Sequence, residues 1–368
     1  MSYDARRDAE SLIRGDIMNI APYEPILPLE ALSGLSGVPV DKLIKLDGNE
    51  NPYGCSPRVR RALAEYPFYH IYPDPLHREI QKPLESYVGV GREHIVAGSG
   101  SDELIDLTLR VFLEPADKVI NCVPTFGMYP FSTAVCGGRT VTVPRDDAYE
   151  VDVDGVKSAI DGRTKVVFIA SPNNPTGNII QPDDLVELVK TGIIVVVDEA
   201  YYEFSGKTFA PMVPEHPNLI VLRSFSKWAG LGGLRAGYGI FPAGIAGTIR
   251  RIKIPYNVNA AAMIAIRESL ADVDYLRGNV RAIIDERGRL SSLLRKQGVL
   301  EPLPSEANFI LCRVVRGDAG DIKRGLEKKG IFIRYFDIPL LRNMLRISVG
   351  RPEQSDALVG ALAKWEGG

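Results

Sequence analysis

Lys227 lies in the run Arg223-Ser224-Phe225-Ser226-Lys227, and Arg235 follows eight positions later across a glycine-rich stretch. The spacing supplies one amine able to form an imine, two hydroxyls beside it, and a fixed cation within reach. Those are the parts needed to hold an aldehyde that carries a phosphate. A lysine that is partly buried near another cation holds its proton less tightly, which suits imine chemistry. In isolation a Ser-x-Ser-Lys segment reads as a surface loop, so its weight comes from the segments around it.

Three such segments precede it. Ile193-Ile194-Val195-Val196-Val197 is a β-branched run of the kind buried on both faces in a parallel sheet, and Asp198 ends it. Open α/β sheets bind ligands at the carboxyl ends of their strands, where a carboxylate could pair with a protonated ring nitrogen. An Asp at that place also serves as a helix N-cap. A second strand, Val166-Val167-Phe168-Ile169-Ala170, runs into Ser171-Pro172-Asn173-Asn174-Pro175-Thr176-Gly177. Its prolines and glycine make a rigid turn that holds Asn174 at a strand end with its amide available. The third is Val96-Ala97-Gly98-Ser99-Gly100-Ser101-Asp102, leading into the helical pattern Leu104, Leu107, Leu109. A Gly/Ser turn at a helix start offers the free N–H groups of Gly100, Ser101 and Asp102 to an anion.

The elements that must position these groups follow from the apolar periodicity. An amphipathic helix is expected from Asp4 to Ile17, then an extended Pro-rich stretch around Pro22 and Pro25. Strands and helices then alternate to about Leu270, as in a mostly parallel, doubly wound sheet. A long helical pattern beyond Asp274 is followed by short strands at Phe309–Leu311, Ile331–Ile333 and Leu345–Val349. The expected division is an arm, 1–45; a large domain, 46–273; and a small C-terminal α+β domain, 274–368. With 368 residues, 45% of them hydrophobic, the chain can bury a core of that size. A formal charge of −2 gives no general attraction to nucleic acid or anionic membrane. No apolar run is long enough to span a bilayer, and the N-terminus leads into no secretory h-region, so a cytoplasmic protein is expected. Four scattered cysteines read as reduced thiols, and four histidines without ligand spacing give no sign of a metal site.

Taken together the segments resemble the fold-type I pyridoxal-phosphate aminotransferases, an α/β fold, and within them the branch acting on histidinol phosphate. The similarity runs from Tyr23 to Gly350 and includes Leu46-Asp47-Gly48-Asn49-Glu50-Asn51-Pro52-Tyr53-Gly54, Pro124-Thr125-Phe126 and Leu345-Arg346-Ile347-Ser348. The resemblance implies that Lys227 forms the imine with pyridoxal 5'-phosphate and then moves protons as general acid and base. It implies that Asp198 pairs with the ring nitrogen, that Asn174 and Tyr201 donate to the phenolate oxygen, and that Phe126 stacks on the ring. Ser224, Ser226, Arg235 and the N–H groups of Gly100, Ser101 and Asp102 would hold the phosphate. Tyr72 would reach the phosphate of a second chain, which implies a homodimer with shared active sites. Arg346, Arg334, Tyr23 and Asn174 would receive the substrate. Two positions depart from the pattern: Trp228 stands where a small residue is usual, and Cys55 where proline is common, which would loosen that loop.

The implied activity is reversible transfer of the amino group of histidinol phosphate to 2-oxoglutarate, giving glutamate. Three other activities fit the same residues. These are an aromatic or broad-specificity aminotransferase, an O-phosphothreonine decarboxylase, and a cofactor-binding regulator, the last disfavoured because the chain has no length to spare for a DNA-binding module.

Overall fold

The computed structural model describes residues 9–364. Its strands are β1 (Ile44–Leu46), β2 (Ile95–Ser99), β3 (Lys118–Val123), β4 (Arg139–Pro144), β5 (Thr164–Ala170), β6 (Ile194–Asp198), β7 (Leu219–Ser224), β8 (Ala236–Ile240), β9 (Leu300–Pro302), β10 (Phe309–Val314), β11 (Ile331–Tyr335) and β12 (Met344–Ser348).

Strands β2 to β8 form one seven-stranded sheet in the order β2-β8-β7-β6-β5-β3-β4. Every pair from β4 to β7 is parallel, and the antiparallel pairs β7–β8 and β8–β2 close one edge. The unbroken apolar runs have a direct cause. Val167, Ile169, Val195, Val197 and Val221 pack into the core on one face, while Val166, Phe168, Val196, Ile220 and Leu222 pack into a second core on the other. With side chains alternating along each strand, two covered faces require apolar residues at every position.

The remaining strands form a second sheet in the order β1-β11-β12-β10-β9. Strand β1 pairs parallel with β11, Leu46 opposite Ile333, so the segment that enters the large sheet's half first completes the small one. The strand straddles position 45/46, and the long helix Val273–Gln297 links the two halves of the chain. Strands β10 and β11 run three and two residues further than the apolar pattern alone marks.

The helix expected from Asp4 to Ile17 does not form over its described part. Residues Ala9–Leu12 make a 3-10 turn and Gly15–Met18 a single α-helical turn, with Arg14 between them at φ −54°, ψ 126°. Residues 4–8 lie outside the described range. None of the residues in these two turns is buried. An amphipathic stripe that buries none of its residues does not hold a helix this short.

Candidate active site

A cavity of about 510 Å³ opens at the carboxyl ends of β5, β6 and β7 and is closed on its far side by β11 and β12. Lys227 enters it from the loop after β7, its Nζ donating to the Gly48 carbonyl at 3.2 Å. Burial, and after it the nearby Arg346 guanidinium, pushes the Lys227 ammonium down to about 8. At neutral pH the unprotonated, nucleophilic amine is therefore far more populated than in an exposed lysine.

Asp198 ends β6 on the floor of the cavity, 5% exposed. Its Oδ2 accepts from the Tyr129 hydroxyl at 2.8 Å, and its Oδ1 accepts from the Ala200 N–H at 3.1 Å. Burial pushes its carboxyl up to about 6, because the charged form is desolvated and, among the described residues, forms no ion pair. A buried carboxylate without a cation fits a positively charged ring nitrogen brought in by a ligand. Tyr201 accepts from the Asn49 side-chain amide at 3.0 Å, which leaves its own hydroxyl proton free to be donated into the cavity.

Opposite Lys227 the helix Gly100–Phe112 points its N-terminus at the cavity, with Ser101 and Asp102 in the wall. Helical geometry leaves the first N–H groups unpaired and creates a partial positive charge there. Gly100 sits at φ +79°, and a Cβ on it would come within 2.6 Å of the Arg235 guanidinium. That approach, together with the left-handed φ of 54° at Arg235, sets the cation over the helix end. Arg235 pairs with the Asp102 carboxylate at 2.6 Å, an exposed bridge of little strength that a dianionic group can replace. Ser224 Oγ accepts from the Ser226 N–H at 3.0 Å, so both serines are fixed at this end. A cation, helix N–H groups and two hydroxyls at one end, an amine in the middle and an unpaired carboxylate at the floor fit a phosphorylated aromatic aldehyde with a basic ring nitrogen.

The far wall carries two arginines. Arg334 on β11 and Arg346 on β12 are direct cross-strand partners. Like charges so placed repel unless an anion lies between or above them. Arg346 is buried, donates through Nη1 to Asn174 Oδ1 at 2.6 Å and through Nη2 to the Asp47 carbonyl, and keeps a buried Nε without a partner. Burial and the neighbouring Arg334 lower its pKa to about 10, while Tyr201 acts in the opposite sense. Its contact to Asn174 uses the amide oxygen and leaves the amide NH₂ free to donate. Phe336 lies 5.5 Å and 5.6 Å from the Arg334 and Arg346 guanidinium carbons. Tyr23, from the arm, meets Phe126 edge to face at 6.4 Å and closes the top.

Of the residues singled out from sequence, Lys227, Asp198, Asn174, Tyr201, Phe126, Ser224, Ser226, Ser101, Asp102, Arg235, Arg334, Arg346 and Tyr23 line this one cavity, with Gly100 immediately behind it. Tyr72 does not: it is 77% exposed and stacks on Tyr256 at 4.5 Å, outside the cavity. Sequence reasoning passed over Tyr129, Asn49 and Phe336. Asn49 stands inside a segment already notable, Leu46-Asp47-Gly48-Asn49-Glu50-Asn51-Pro52-Tyr53-Gly54, and Tyr129 lies three residues beyond another, Pro124-Thr125-Phe126. Nothing in the sequence around Phe336 marks it. The two departures also resolve. Trp228 is fully buried and stacks on Tyr87 at 5.3 Å, so bulk behind Lys227 is matched by an aromatic partner. The Cys55 loop is packed, not loosened, because a Cβ on Gly230 would stand 2.4 Å from the Gly54 carbonyl carbon.

The fold and this cavity define an enzyme of amino-group transfer, and the chain belongs to the family described as aminotransferase class I and II, whose model matches residues 41–362. Its similarity to particular members is close. It is 47% identical over 364 residues to histidinol-phosphate aminotransferase of Dehalococcoides mccartyi, covering 99% of both chains. It is 43% identical over 360 residues to the chloroplastic histidinol-phosphate aminotransferase of Nicotiana tabacum, covering 97% of this chain and 87% of that one. Among solved structures, histidinol-phosphate aminotransferase of Sinorhizobium meliloti, in complex with pyridoxal-5'-phosphate, superposes with a TM-score of 0.87 at 27% identity, covering 99% of this chain and 98% of that one.

Proposed function

We propose that the chain uses pyridoxal 5'-phosphate to transfer the amino group of L-histidinol phosphate to 2-oxoglutarate, forming glutamate, as a step in histidine biosynthesis. The observation that carries the donor is the Arg334–Arg346 pair. A buried guanidinium with an unpartnered Nε, faced across the strands by a second arginine, is suited to a phosphate monoester's charge and several acceptors.

Gly100, Ser101, Asp102, Ser224, Ser226 and Arg235 would hold the cofactor phosphate, Asp198 the ring nitrogen, Asn174 and Tyr201 the phenolate oxygen, and Phe126 one ring face. When bound, the cofactor supplies the aldehyde that takes up the amino group and a ring that accepts the electron pair released at the substrate carbon. Lys227 then holds and moves the proton at Nζ, which its lowered pKa allows near neutral pH. Arg346 and Arg334 bind the anionic end of either substrate and orient its reacting carbon toward Nζ. Tyr23 and Phe126 keep water from the open side. Tyr72 belongs to this reading as a contribution to a second chain's cofactor phosphate. Its exposure next to exposed Ile71, with exposed Tyr256 stacked on it, supports a homodimer. Among the described residues no helix is long and apolar enough to cross a membrane; a cytoplasmic setting is part of the same proposal.

The test is a steady-state comparison of histidinol phosphate, phenylalanine and tyrosine as donors, with 2-oxoglutarate as acceptor. A kcat/KM for histidinol phosphate about 100-fold or more above the others is expected, roughly the discrimination worth of a charge-assisted phosphate contact. Preference for the aromatic amino acids overturns the donor assignment. Release of carbon dioxide without consumption of the keto acid overturns transamination.

A further inference from the structure

The loop that follows β4 is built to hold one side chain out. Asp146 Oδ1 accepts from the Ala148 and Glu150 N–H groups at 2.9 Å and 2.8 Å, and its carbonyl accepts from the Tyr149 N–H at 2.9 Å. Tyr149 takes a left-handed φ of 63°. Its carbonyl receives two side-chain donors, Arg145 Nη1 at 3.0 Å and Asn178 Nδ2 at 2.7 Å, and Arg145 is itself anchored to the Cys122 carbonyl at 3.1 Å. A bulky residue in that region costs about 1 kcal/mol or more and persists only where the surroundings over-determine it.

The side chain leaves the large sheet's half altogether. The Tyr149 hydroxyl lies 3.0 Å from Met344 Sδ, and its ring packs on a separate small cluster made by Leu303, Leu311, Leu341, Met344 and Phe336. Met344 precedes Arg346 by two on β12, and Leu311 is the β10 residue opposite Arg346, so both share the face from which Arg346 projects. Phe336 is the ring beside both guanidinium groups. On its backbone side, Tyr149 is tied to Asn178, which closes the turn through the Asn173 N–H at 2.7 Å, and that turn carries Asn174, the acceptor for Arg346 Nη1. One residue thus braces Arg346 from both sides.

We propose that Tyr149 is a positioning residue: it props the small sheet against the large one so that Arg334 and Arg346 stand at the separation from Lys227 that an anionic substrate spans. The proposal rests on the reading that these arginines receive the substrate anion. It assigns Tyr149 no contact with substrate or cofactor.

The test uses the holoenzyme with Tyr149→Gly and Tyr149→Phe. Glycine relieves the backbone conformation and so preserves the loop, while removing the prop; phenylalanine keeps the packing. Dissociation constants for glutamate and for histidinol phosphate are read from the change in cofactor absorbance in the half-reaction, alongside cofactor affinity and the rate at donor saturation. For Tyr149→Gly both donors should bind about tenfold or more weakly, while cofactor affinity and the saturated rate stay within about twofold. Tyr149→Phe should remain within about twofold throughout. Unchanged donor binding in Tyr149→Gly overturns the proposal, as does a loss of cofactor affinity equal to the loss of donor affinity. A wild-type enzyme that takes nitrogen from glutamate and not from histidinol phosphate overturns the donor assignment, and Tyr149 is then judged on the glutamate comparison.

Discussion

Asp198 and Lys227 are both held away from their ordinary protonation, in directions that a bound cofactor would reverse or use. The Asp198 carboxyl is raised to about 6, so its contribution to the stability of the cofactor-free protein is present below about 4 and lost as pH rises through 6. Asp198→Asn should therefore stabilise the cofactor-free protein at pH 8, by about 3 kcal/mol at most, while weakening cofactor binding. Denaturant melts and cofactor titrations of the two proteins check both signs, and a destabilised Asn variant would show that the carboxylate already has its cation. Lys227 behaves differently: its amine, lowered to about 8, should make imine formation with added cofactor rise with pH and level off above about 8. A rate still climbing toward pH 10 would count against the burial seen here. Tyr129→Phe removes one donor from the Asp198 carboxylate, and cofactor affinity should fall about tenfold or more, the worth of one hydrogen bond to a charged group. Lys227, Asp198 and Asn174 were legible because each closes a segment whose composition already marks a strand end. Tyr129 was not, because its role depends on stacking against Phe168 at 4.7 Å, a contact between residues far apart in the chain.

At the level of elements, the phosphate site proposed at the start of the helix Gly100–Phe112 depends on β8 and Arg235 being packed against its first turn. A Cβ on Gly237 would stand 2.5 Å from the Gly100 carbonyl carbon, and one on Gly100 would meet Arg235. Gly100→Ala should thus lower cofactor affinity by about tenfold or more while leaving the melting midpoint of the cofactor-free protein within a few degrees, since the strain falls on a helix terminus. Retained affinity, measured by absorbance titration, would remove this turn from the phosphate site. The strands were readable in sequence because two covered faces demand uninterrupted apolar runs, as in Val195-Val196-Val197. The helix expected at 4–17 was misread for the complementary reason. An amphipathic pattern records only that a face could be covered, and none of the residues in the described turns there is buried.

At the scale of the whole molecule, Tyr72 gives the sharpest test, since it lies outside the active-site cavity of its own chain. Co-expression of a Lys227→Ala chain with a Tyr72→Ala chain should yield mixed dimers in which one site has both its own Lys227 and an intact Tyr72 from the other chain. Such dimers should regain near wild-type turnover at that site, whereas either variant alone stays impaired; no recovery would confine Tyr72 to its own chain. The pairing of β1 with β11 has another consequence, for the order in which a ribosome delivers this enzyme. Every strand of the seven-stranded sheet lies between residues 95 and 240, so that sheet, with Lys227 and Asp198, can close while the rest of the chain is still being made. The five-stranded sheet needs Ile44 beside Ile331 and must wait for both ends. On the proposed roles, the growing chain would acquire the groups for its cofactor before the arginines for its substrate, and an early chain would load the one without yet being able to act on the other.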